Sequence, residues 1–272
     1  EFEKYGIEYS YTASDKFEDF EPLIKPNTKI IYIETPSNPL LGITDIKATA
    51  DLAKRKGIIT MIDNTFASPI NQTPADFGID VIIHSATKYM GGHSDICAGA
   101  VAASQAHIDQ VFRLAKNFGG SLSDYTVWLL ERSIKTMGIR VKAQNENAME
   151  MATYLEAHPE VSKVYYPGLK SHPDHELAAA QMSGFGGMLS FELREGLNAS
   201  AFQKALQLIK PSMSLAGIES TLLSPTLTSH ALLSPEERKH QGIADGLIRF
   251  SVGIEEVDAL QLDIDQAIKS LL

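Results

Sequence analysis

Residues 80–95 of the chain read DVIIHSATKYMGGHSD. The first four, Asp80 to Ile83, join a polar residue to β-branched apolar residues and predict a short buried strand. The strand leads directly to Ser85, Thr87 and Lys88. Two hydroxyls beside a lysine suit a phosphate-binding turn next to an amine, because hydroxyls donate hydrogen bonds to phosphate oxygens and a confined lysine can act as a nucleophile. A surface lysine at a strand end is the alternative.

The composition is that of a globular protein. The chain has 272 residues, of which 44% are hydrophobic and 21% charged, enough to bury a core. Its net charge of -10 argues against nucleic acid or an anionic membrane as the main partner. The single cysteine suits a reducing compartment, so we expect a cytoplasmic protein. His172 and His175 lack the further ligands that would complete a metal site, and no metal is expected.

Strands and helices alternate on both sides of this stretch. The alternation predicts βαβ units and a largely parallel sheet. Beyond residue 138 the elements are mixed, which predicts a second, smaller α+β domain. We expect domains at 1–137 and 138–272. The first domain is predicted to hold strands at 7–11, 29–33, 58–62, 80–83 and 98–103, and helices at 15–24, 45–56, 105–116 and 124–135.

Three polar motifs follow strands of the predicted sheet, at residues 34–39, 63–66 and 85–88. Ligands bind outside the carboxyl ends of the strands in parallel sheets. The three motifs therefore predict one shared site.

Asp63 lies at the end of one predicted strand, one βαβ unit before Lys88. The pair matches what pyridoxal phosphate requires, since the lysine would bind the cofactor covalently and an ionised aspartate would keep the pyridine nitrogen protonated. Ser85 and Thr87 would then hold the phosphate. A turn or helix-capping role is the alternative for Asp63.

Arg249 lies within the apolar run at 247–254. Strand alternation places its side chain on the face opposite Ile248 and Phe250. An arginine flanked by apolar residues suits a bidentate contact with a substrate carboxylate. An arginine at an exposed sheet edge is the alternative.

Five motifs occur together in this order: ETPSNP at 34–39, DNTF at 63–66, SATKY at 85–89, SLAGIES at 214–220 and RFSVG at 249–253. With them the chain resembles the Cys/Met-metabolism enzymes that use pyridoxal phosphate. That family includes cystathionine γ-synthase, cystathionine β- and γ-lyases and methionine γ-lyase. The resemblance covers essentially all 272 residues.

The resemblance implies roles for the cofactor-binding residues. Lys88 is similar to the lysine that binds the cofactor, and Asp63 to the partner of the pyridine nitrogen. Ser85 and Thr87 are similar to phosphate ligands. Asn38 resembles the asparagine near the phenolic oxygen of the cofactor.

The resemblance also implies substrate-binding residues. Arg249 is similar to the arginine that binds the substrate carboxylate, with Asn38 nearby. Ser214 resembles the serine that orients the lysine and the substrate, and we count it with Lys88 as catalytic. The implied fold is α/β, the type I aminotransferase fold of pyridoxal-phosphate-dependent transferases, with a mainly parallel sheet in the large domain and a smaller α+β C-terminal domain. The implied assembly is a homotetramer, a dimer of dimers.

The implied activity is elimination or γ-replacement at the side chain of a sulfur amino acid or an activated homoserine. Two departures from the family bear on this. An N-terminal portion of the family is absent, which motivates the alternative of a non-catalytic chain that keeps the fold and the oligomer surface. Met213 precedes Ser214 where cystathionine-specific γ-enzymes often have glutamate, which argues against a substrate range limited to cystathionine. An aminotransferase is disfavoured by the SATK and SLAG motifs.

Overall fold

Two β-sheets organise the chain in the computed structural model, which describes residues 2–228, 234–240 and 242–272. The first sheet has the strand order β1-β2-β3-β4. β1, β2 and β3 pair in parallel, whereas β4 pairs antiparallel to β3. The predicted parallel pairing is thus confirmed for the three strands that precede the polar motifs. The strands are Ile30–Glu34 (β1), Ile59–Asp63 (β2), Val81–Ser85 (β3) and Gly99–Ala103 (β4).

Helix α1, Ile46–Lys56, covers one face of the first sheet. It begins after Asp45, whose side chain accepts a hydrogen bond from the Ala48 N–H, and it ends at Gly57, which has a φ of 67°. Its buried residues Ile46, Ala50 and Ala53 join Ile31, Ile33 and Ile62 of the sheet in one apolar core. The remaining helices of this half are Ser68–Asn71 (α2), Gln105–Phe118 (α3), Asp124–Ile134 (α4) and Met137–Ala157 (α5).

The N-terminal segment differs from the prediction. Residues 7–11 form no strand, because no strand of the described chain pairs with them, and residues 15–24 form no helix. Two short 3-10 turns, Phe17–Asp19 and Glu21–Leu23, take the place of the helix. Pro22 has no amide hydrogen to donate, so one continuous helix through this segment is unfavourable.

The second sheet has the strand order β5-β6-β9-β8-β7. β7 and β8 pair in parallel, and the other neighbours pair antiparallel. Its strands are Val161–Tyr165 (β5), Met188–Leu193 (β6), Lys210–Pro211 (β7), Thr221–Leu223 (β8) and Leu247–Ser251 (β9). The helices of this half are His175–Gln181 (α6), Ala199–Ala205 (α7), Pro235–His240 (α8) and Val257–Lys269 (α9). Further 3-10 turns are Phe2–Tyr5, Pro74–Phe77 and Pro225–Leu227.

Helices α5, α7 and α9 pack with the second sheet around one apolar core. Phe191, Phe202 and Phe250 are fully buried there. The predicted boundary between 1–137 and 138–272 falls at the first residue of α5. The two domains stay a prediction, and their ranges include residues 1, 229–233 and 241, which lie outside the described residues.

Within the described ranges, no helix is both long enough and apolar enough to cross a membrane. No three histidine, cysteine, aspartate or glutamate side chains in those ranges are grouped so that they could hold a metal ion.

Candidate functional site

The carboxyl ends of β1, β2 and β3 meet at one edge of the first sheet. The strand register pairs Glu34 with Asp63, and Asp63 with Ile83. Ser85 is the last residue of β3, and Lys88 follows three residues later. Parallel pairing in this register therefore brings the three predicted motifs to the same edge, where ligands bind in sheets of this kind.

Asp63 is fixed in place by hydrogen bonds that reach β3. Its Oδ1 accepts a hydrogen bond of 2.9 Å from the Thr65 N–H. The Thr65 hydroxyl oxygen in turn accepts one of 2.8 Å from the Ser85 N–H. The Oδ2 atom of Asp63 has no hydrogen-bond partner among the described residues. The carboxylate is thus oriented by one oxygen, and the other can accept a hydrogen bond from a ligand.

The two predicted phosphate ligands differ in their hydrogen bonds. The Ser85 hydroxyl has no partner within the described part of the chain. The Thr87 hydroxyl accepts a hydrogen bond of 2.9 Å from the Ala98 N–H and donates one of 3.3 Å to the Ala98 carbonyl. A bond of 3.3 Å is long for an O–H donor. A phosphate oxygen can therefore compete for both hydroxyl protons.

Lys88 lies in a tight turn after β3. Its N–H donates to the Ser85 carbonyl at 3.0 Å, and its carbonyl accepts from the Gly92 N–H at 2.7 Å. Burial lowers the pKa of the Lys88 amine, and the positive charge of Arg249 lowers it further, whereas Cys97 raises it. A lower pKa increases the fraction of neutral amine, the form that acts as nucleophile or base.

Arg249, in β9, brings the second half of the chain to the site. Its side chain is 5% exposed. Nη1 donates to Asn38 Oδ1 at 3.4 Å, and Nη2 donates to the carbonyls of Met213 at 3.0 Å and Ser214 at 3.5 Å. Burial lowers the pKa of Arg249 to about 10, so the guanidinium is still charged at neutral pH. No described acidic side chain forms an ion pair with it.

These contacts bring Arg249, Asn38 and Ser214 together. Lys88 lies close enough to Arg249 for the guanidinium charge to lower the pKa of its amine. The Ser214 hydroxyl has no hydrogen-bond partner among the described residues, while its N–H donates to the Ser212 hydroxyl at 3.1 Å. No hydrogen bond within the described ranges joins Asp63 directly to Lys88. The carboxylate and the amine are therefore each available to a ligand.

The prediction gave no role to Glu34, although it opens the ETPSNP motif. Burial raises the pKa of Glu34 to about 7, and the negative charge of Asp63 raises it as well. The Asn38 N–H donates to Glu34 Oε1 at 3.1 Å. The sequence signal was its position, since a glutamate at the end of a buried parallel strand lies beside the end of the next strand.

Arg140 was also missed. It is 6% exposed and donates to the carbonyls of Tyr89 and Met90, the two residues that follow Lys88. Its spacing from Met137 and from Ala148 matches the buried stripe of α5. A charged residue inside an apolar helical stripe is the signal that could have revealed it.

The donor set fits pyridoxal phosphate. It offers a carboxylate for the pyridine nitrogen, two hydroxyls for phosphate oxygens and an amine of lowered pKa for the aldehyde carbon. Two surface clefts of about 420 Å³ and 260 Å³ lie elsewhere, and none of the predicted site residues lines them. The candidate site is therefore formed by the side chains at the carboxyl ends of β1, β2 and β3, and it lies outside both clefts.

Comparisons with known proteins agree with this donor set. The sequence profile described as Cys/Met metabolism PLP-dependent enzyme matches residues 1–269. Cystathionine gamma-lyase of Bacillus subtilis strain 168 is 45% identical over 98% of this chain and 70% of that protein. Cystathionine beta-lyase of the same strain is 42% identical over 98% of this chain and 69% of that protein.

A solved structure shows the same fold. The crystal structure of cystathionine gamma-lyase from Lactobacillus plantarum, complexed with L-serine, is similar to this chain with a TM-score of 0.96 and 42% sequence identity. The similarity covers 99% of this chain and 71% of that one. The predicted fold class is confirmed.

Proposed function

Because the chain belongs to the Cys/Met metabolism PLP-dependent enzymes, we propose that it catalyses elimination or γ-replacement at the side chain of a sulfur amino acid or an activated homoserine. The predicted family and the predicted cofactor, pyridoxal phosphate, are both confirmed. Relatives of similar identity are named cystathionine gamma-lyase and cystathionine beta-lyase. Identity alone therefore does not choose between β- and γ-elimination, and no observation favours a chain without turnover.

One observation carries the proposal. Arg249 is a buried cation beside Lys88 that has no ion-pair partner among the described residues. A buried charge is costly unless an opposite charge pairs with it. The carboxylate of an α-amino acid would satisfy Arg249 and would place the substrate Cα near the Lys88 amine.

The side chains at the carboxyl ends of β2 and β3 would hold the cofactor. The hydroxyls of Ser85 and Thr87 would donate to its phosphate, and Asp63 Oδ2 would accept a hydrogen bond from its protonated ring nitrogen. Pyridoxal phosphate, when bound through Lys88, supplies an electron sink for negative charge at the substrate Cα.

The other residues would bind the substrate and move its proton. In its neutral form, the Lys88 amine would accept the proton of the substrate Cα and return it later. Arg249 and the Asn38 amide would orient the substrate carboxylate, since the Asn38 Oδ1 already accepts a hydrogen bond from Arg249. The Ser214 hydroxyl, which has no hydrogen-bond partner among the described residues, would hold the Lys88 amine in line with Cα.

The first experiment is a visible absorbance spectrum of the purified chain with added pyridoxal phosphate. We expect a cofactor band in the parent chain and in Lys142→Ala, an exposed lysine, and no such band in Lys88→Ala. A band that persists in Lys88→Ala would show that another lysine binds the cofactor. A parent chain without a band would favour the alternative of a fold without turnover.

The second experiment identifies the reaction. Cystathionine, methionine and O-succinylhomoserine are each incubated with the cofactor-loaded chain, and pyruvate and 2-oxobutyrate are measured. Release of pyruvate from cystathionine indicates β-elimination, whereas release of 2-oxobutyrate indicates γ-elimination. Release of neither product, with a cofactor band present, would contradict elimination and leave γ-replacement with an added thiol as the activity to assay.

We also propose that the protein is a homo-oligomer in which a second copy covers α3 and α4. In the described structure α3 has no buried residue. Phe112, Phe118 and Trp128 on these helices are 63%, 85% and 56% exposed. Exposed apolar surface of this kind is typical of interfaces. Sedimentation of the purified chain tests the proposal, and a monomer at every concentration would contradict it.

A cytoplasmic location stays a prediction, supported by the composition and by the single cysteine. Fractionation of cells that produce the protein would test it.

A further inference from the structure

Helix α5 carries two polar residues, one turn apart, in its buried stripe. Arg140 is 6% exposed and Gln144 is fully buried. Their neighbours in the stripe, such as Val141 and Ala148, are apolar. A buried polar side chain costs free energy unless its hydrogen bonds are satisfied, so the partners of these two residues indicate what they do.

The Arg140 guanidinium binds the turn that follows Lys88. Nη1 donates to the Tyr89 carbonyl at 2.9 Å, and Nη2 donates to the Met90 carbonyl at 3.4 Å. Glycine at position 92 leaves room for this contact, since an added Cβ would lie only 1.8 Å from Nη1. Its φ of +71° also favours glycine. Further bonds reach the Ser133 carbonyl at 2.9 Å and the hydroxyl of Thr136 at 3.2 Å, and these anchor the guanidinium to its own helix region.

Gln144 binds the substrate side of the site. Its Nε2 donates to the Gly217 carbonyl at 2.7 Å and to the Val252 carbonyl at 3.3 Å. Gly217 follows Ser214 by three residues, and Val252 follows Arg249 by three residues. One side-chain amide thus joins the Ser214 loop to the end of β9.

A main-chain hydrogen bond connects the two sets of contacts. The Ile218 N–H, in the Ser214 loop, donates to the Gly92 carbonyl, in the Lys88 turn, at 2.9 Å. The Lys88 turn and the Ser214 loop therefore contact each other and are each held by α5.

We propose that Arg140 and Gln144 are positioning residues that set the Lys88 amine relative to the Ser214 loop and Arg249. This inference rests on the proposed role of Lys88 in binding the cofactor. Neither side chain needs to touch the substrate, because each acts through main-chain carbonyls within three residues of the residue that it places. A misplacement of about 1 Å in an active site can cost roughly 100-fold in rate, so such residues affect turnover without contacting the substrate.

The competing explanation is a purely structural role, in which the two residues stabilise the fold and leave the geometry at Lys88 unchanged. The two explanations differ in the visible circular dichroism of the bound cofactor. That signal depends on how the protein orients the cofactor, whereas a loss of global stability alone does not change it in the folded fraction. The split between kcat and KM separates them further.

The experiment uses four variants of the cofactor-loaded chain. Arg140→Gln removes the charge, Arg140→Lys keeps it, and Gln144→Met removes the amide at similar volume. Lys142→Gln is the matched control, since Lys142 is exposed on the same helix. Visible circular dichroism, kcat and KM with cystathionine, or with whichever substrate is turned over, and the urea midpoint of unfolding are measured for each.

We expect Arg140→Gln to change the visible circular dichroism and to lower kcat by about 100-fold, with KM changed by less than about threefold. Arg140→Lys should lie between Arg140→Gln and the parent chain in both visible circular dichroism and kcat. Gln144→Met should raise KM by roughly tenfold, because the loop and strand that bind the substrate are displaced. Lys142→Gln should match the parent chain in every measurement.

Unchanged circular dichroism and kcat in Arg140→Gln, with a lowered urea midpoint, would overturn the proposal in favour of a structural role. If Arg140→Gln does not fold, Gln144→Met decides, and parent-like dichroism, kcat and KM in that variant would overturn the proposal. The Lys88→Ala spectrum keeps the two proposals apart. A band lost in Lys88→Ala together with unaffected Arg140 variants would refute only the positioning role.

Discussion

The two halves of the molecule bury their sheets to different extents. Every residue of β9, at the centre of the second sheet, is buried, and Ile248 is fully buried. In the first sheet, Ile30, Tyr32 and Ile59 are 48%, 53% and 37% exposed on the face that α1 does not cover. The second half therefore closes its own core, whereas the first half leaves apolar surface open.

This difference divides the candidate site. The residues expected to bind the cofactor, such as Lys88 and Asp63, belong to the open half, and Arg249 and Ser214 belong to the closed half. Contacts between the halves include the Tyr89 hydroxyl, which accepts a hydrogen bond of 2.8 Å from the Gly187 N–H. Under the proposed assignment, cofactor binding and carboxylate binding would depend on separately packed regions, and substitutions should separate them.

The largest effect is expected from Arg249→Met. The variant removes the buried cation that would pair with the substrate carboxylate, and breaking a buried ion pair costs about 3–5 kcal/mol. We expect kcat/KM to fall roughly 5,000-fold, which corresponds to about 5 kcal/mol, the upper end of that range. The cofactor band should persist. Steady-state kinetics checks the fall in kcat/KM, and a cofactor titration checks that the cofactor band persists.

Asp63→Asn is the matched change on the cofactor side. It should weaken or shift the cofactor band, because a neutral amide does not keep the pyridine nitrogen protonated. Loss of the cofactor band in Arg249→Met, to the same degree as in Asp63→Asn, would contradict the division between the two halves.

The next largest effect compares the two sheets by the same substitution. Ile248→Ala, in the closed core, should lower the free energy of unfolding by about 4 kcal/mol, because it leaves a cavity. Ile59→Ala, on the open face, should lower it by only about 1 kcal/mol or less, since the side chain is 37% exposed. Urea denaturation of both variants at low protein concentration measures the difference.

Protein concentration sharpens this comparison. If another chain covers the open face, the cost of Ile59→Ala should grow as concentration rises, because association stabilises the parent by mass action. Equal costs for the two substitutions at every concentration would mean that the open face is buried in solution even at high dilution.

Much of the fold could be predicted because it follows from local chemistry. The apolar runs before Asp63 and Lys88 predicted strands, and the register of parallel strands then brought both residues to one edge. The helix predicted at 15–24 was wrong: two 3-10 turns take its place, because Pro22 disfavours a continuous helix through this segment. The strand predicted at 7–11 was wrong because alternation shows that a segment can pair, and not that a partner strand lies beside it.

The candidate site was less predictable, because some of its contacts join distant parts of the chain. Family resemblance supplied Asn38 and Ser214, and residue pattern alone supplied neither. Arg140 binds carbonyls about fifty positions away, at Tyr89 and Met90, and backbone acceptors leave no side-chain pattern in a sequence. The burial that raises the pKa of Glu34 likewise arises from packing between elements.

The smallest of the three effects concerns this glutamate in the open half. The carboxyl of Glu34 has a pKa of about 7, against an ordinary value of 4.5, because it is buried and because Asp63 and Asp15 are negatively charged neighbours, while the Asn38 N–H lowers it. Between about pH 4.5 and about pH 7, Glu34 is therefore protonated in the folded chain and ionised in the unfolded chain. This contribution to stability is complete below about pH 4.5 and is lost as the pH rises through about 7.

Glu34→Gln should therefore flatten the pH dependence of stability. Glutamine keeps an acceptor for the Asn38 N–H but does not titrate, so the variant should lack a decline of roughly 3 kcal/mol that the parent shows between about pH 4.5 and about pH 7.5. Glu146→Gln, an exposed glutamate on α5, should decline as the parent does. Urea denaturation across this pH range measures all three chains. An unchanged decline in Glu34→Gln would place the titrating group elsewhere and would show that burial and the charge of Asp63 do not raise the pKa of Glu34 to about 7.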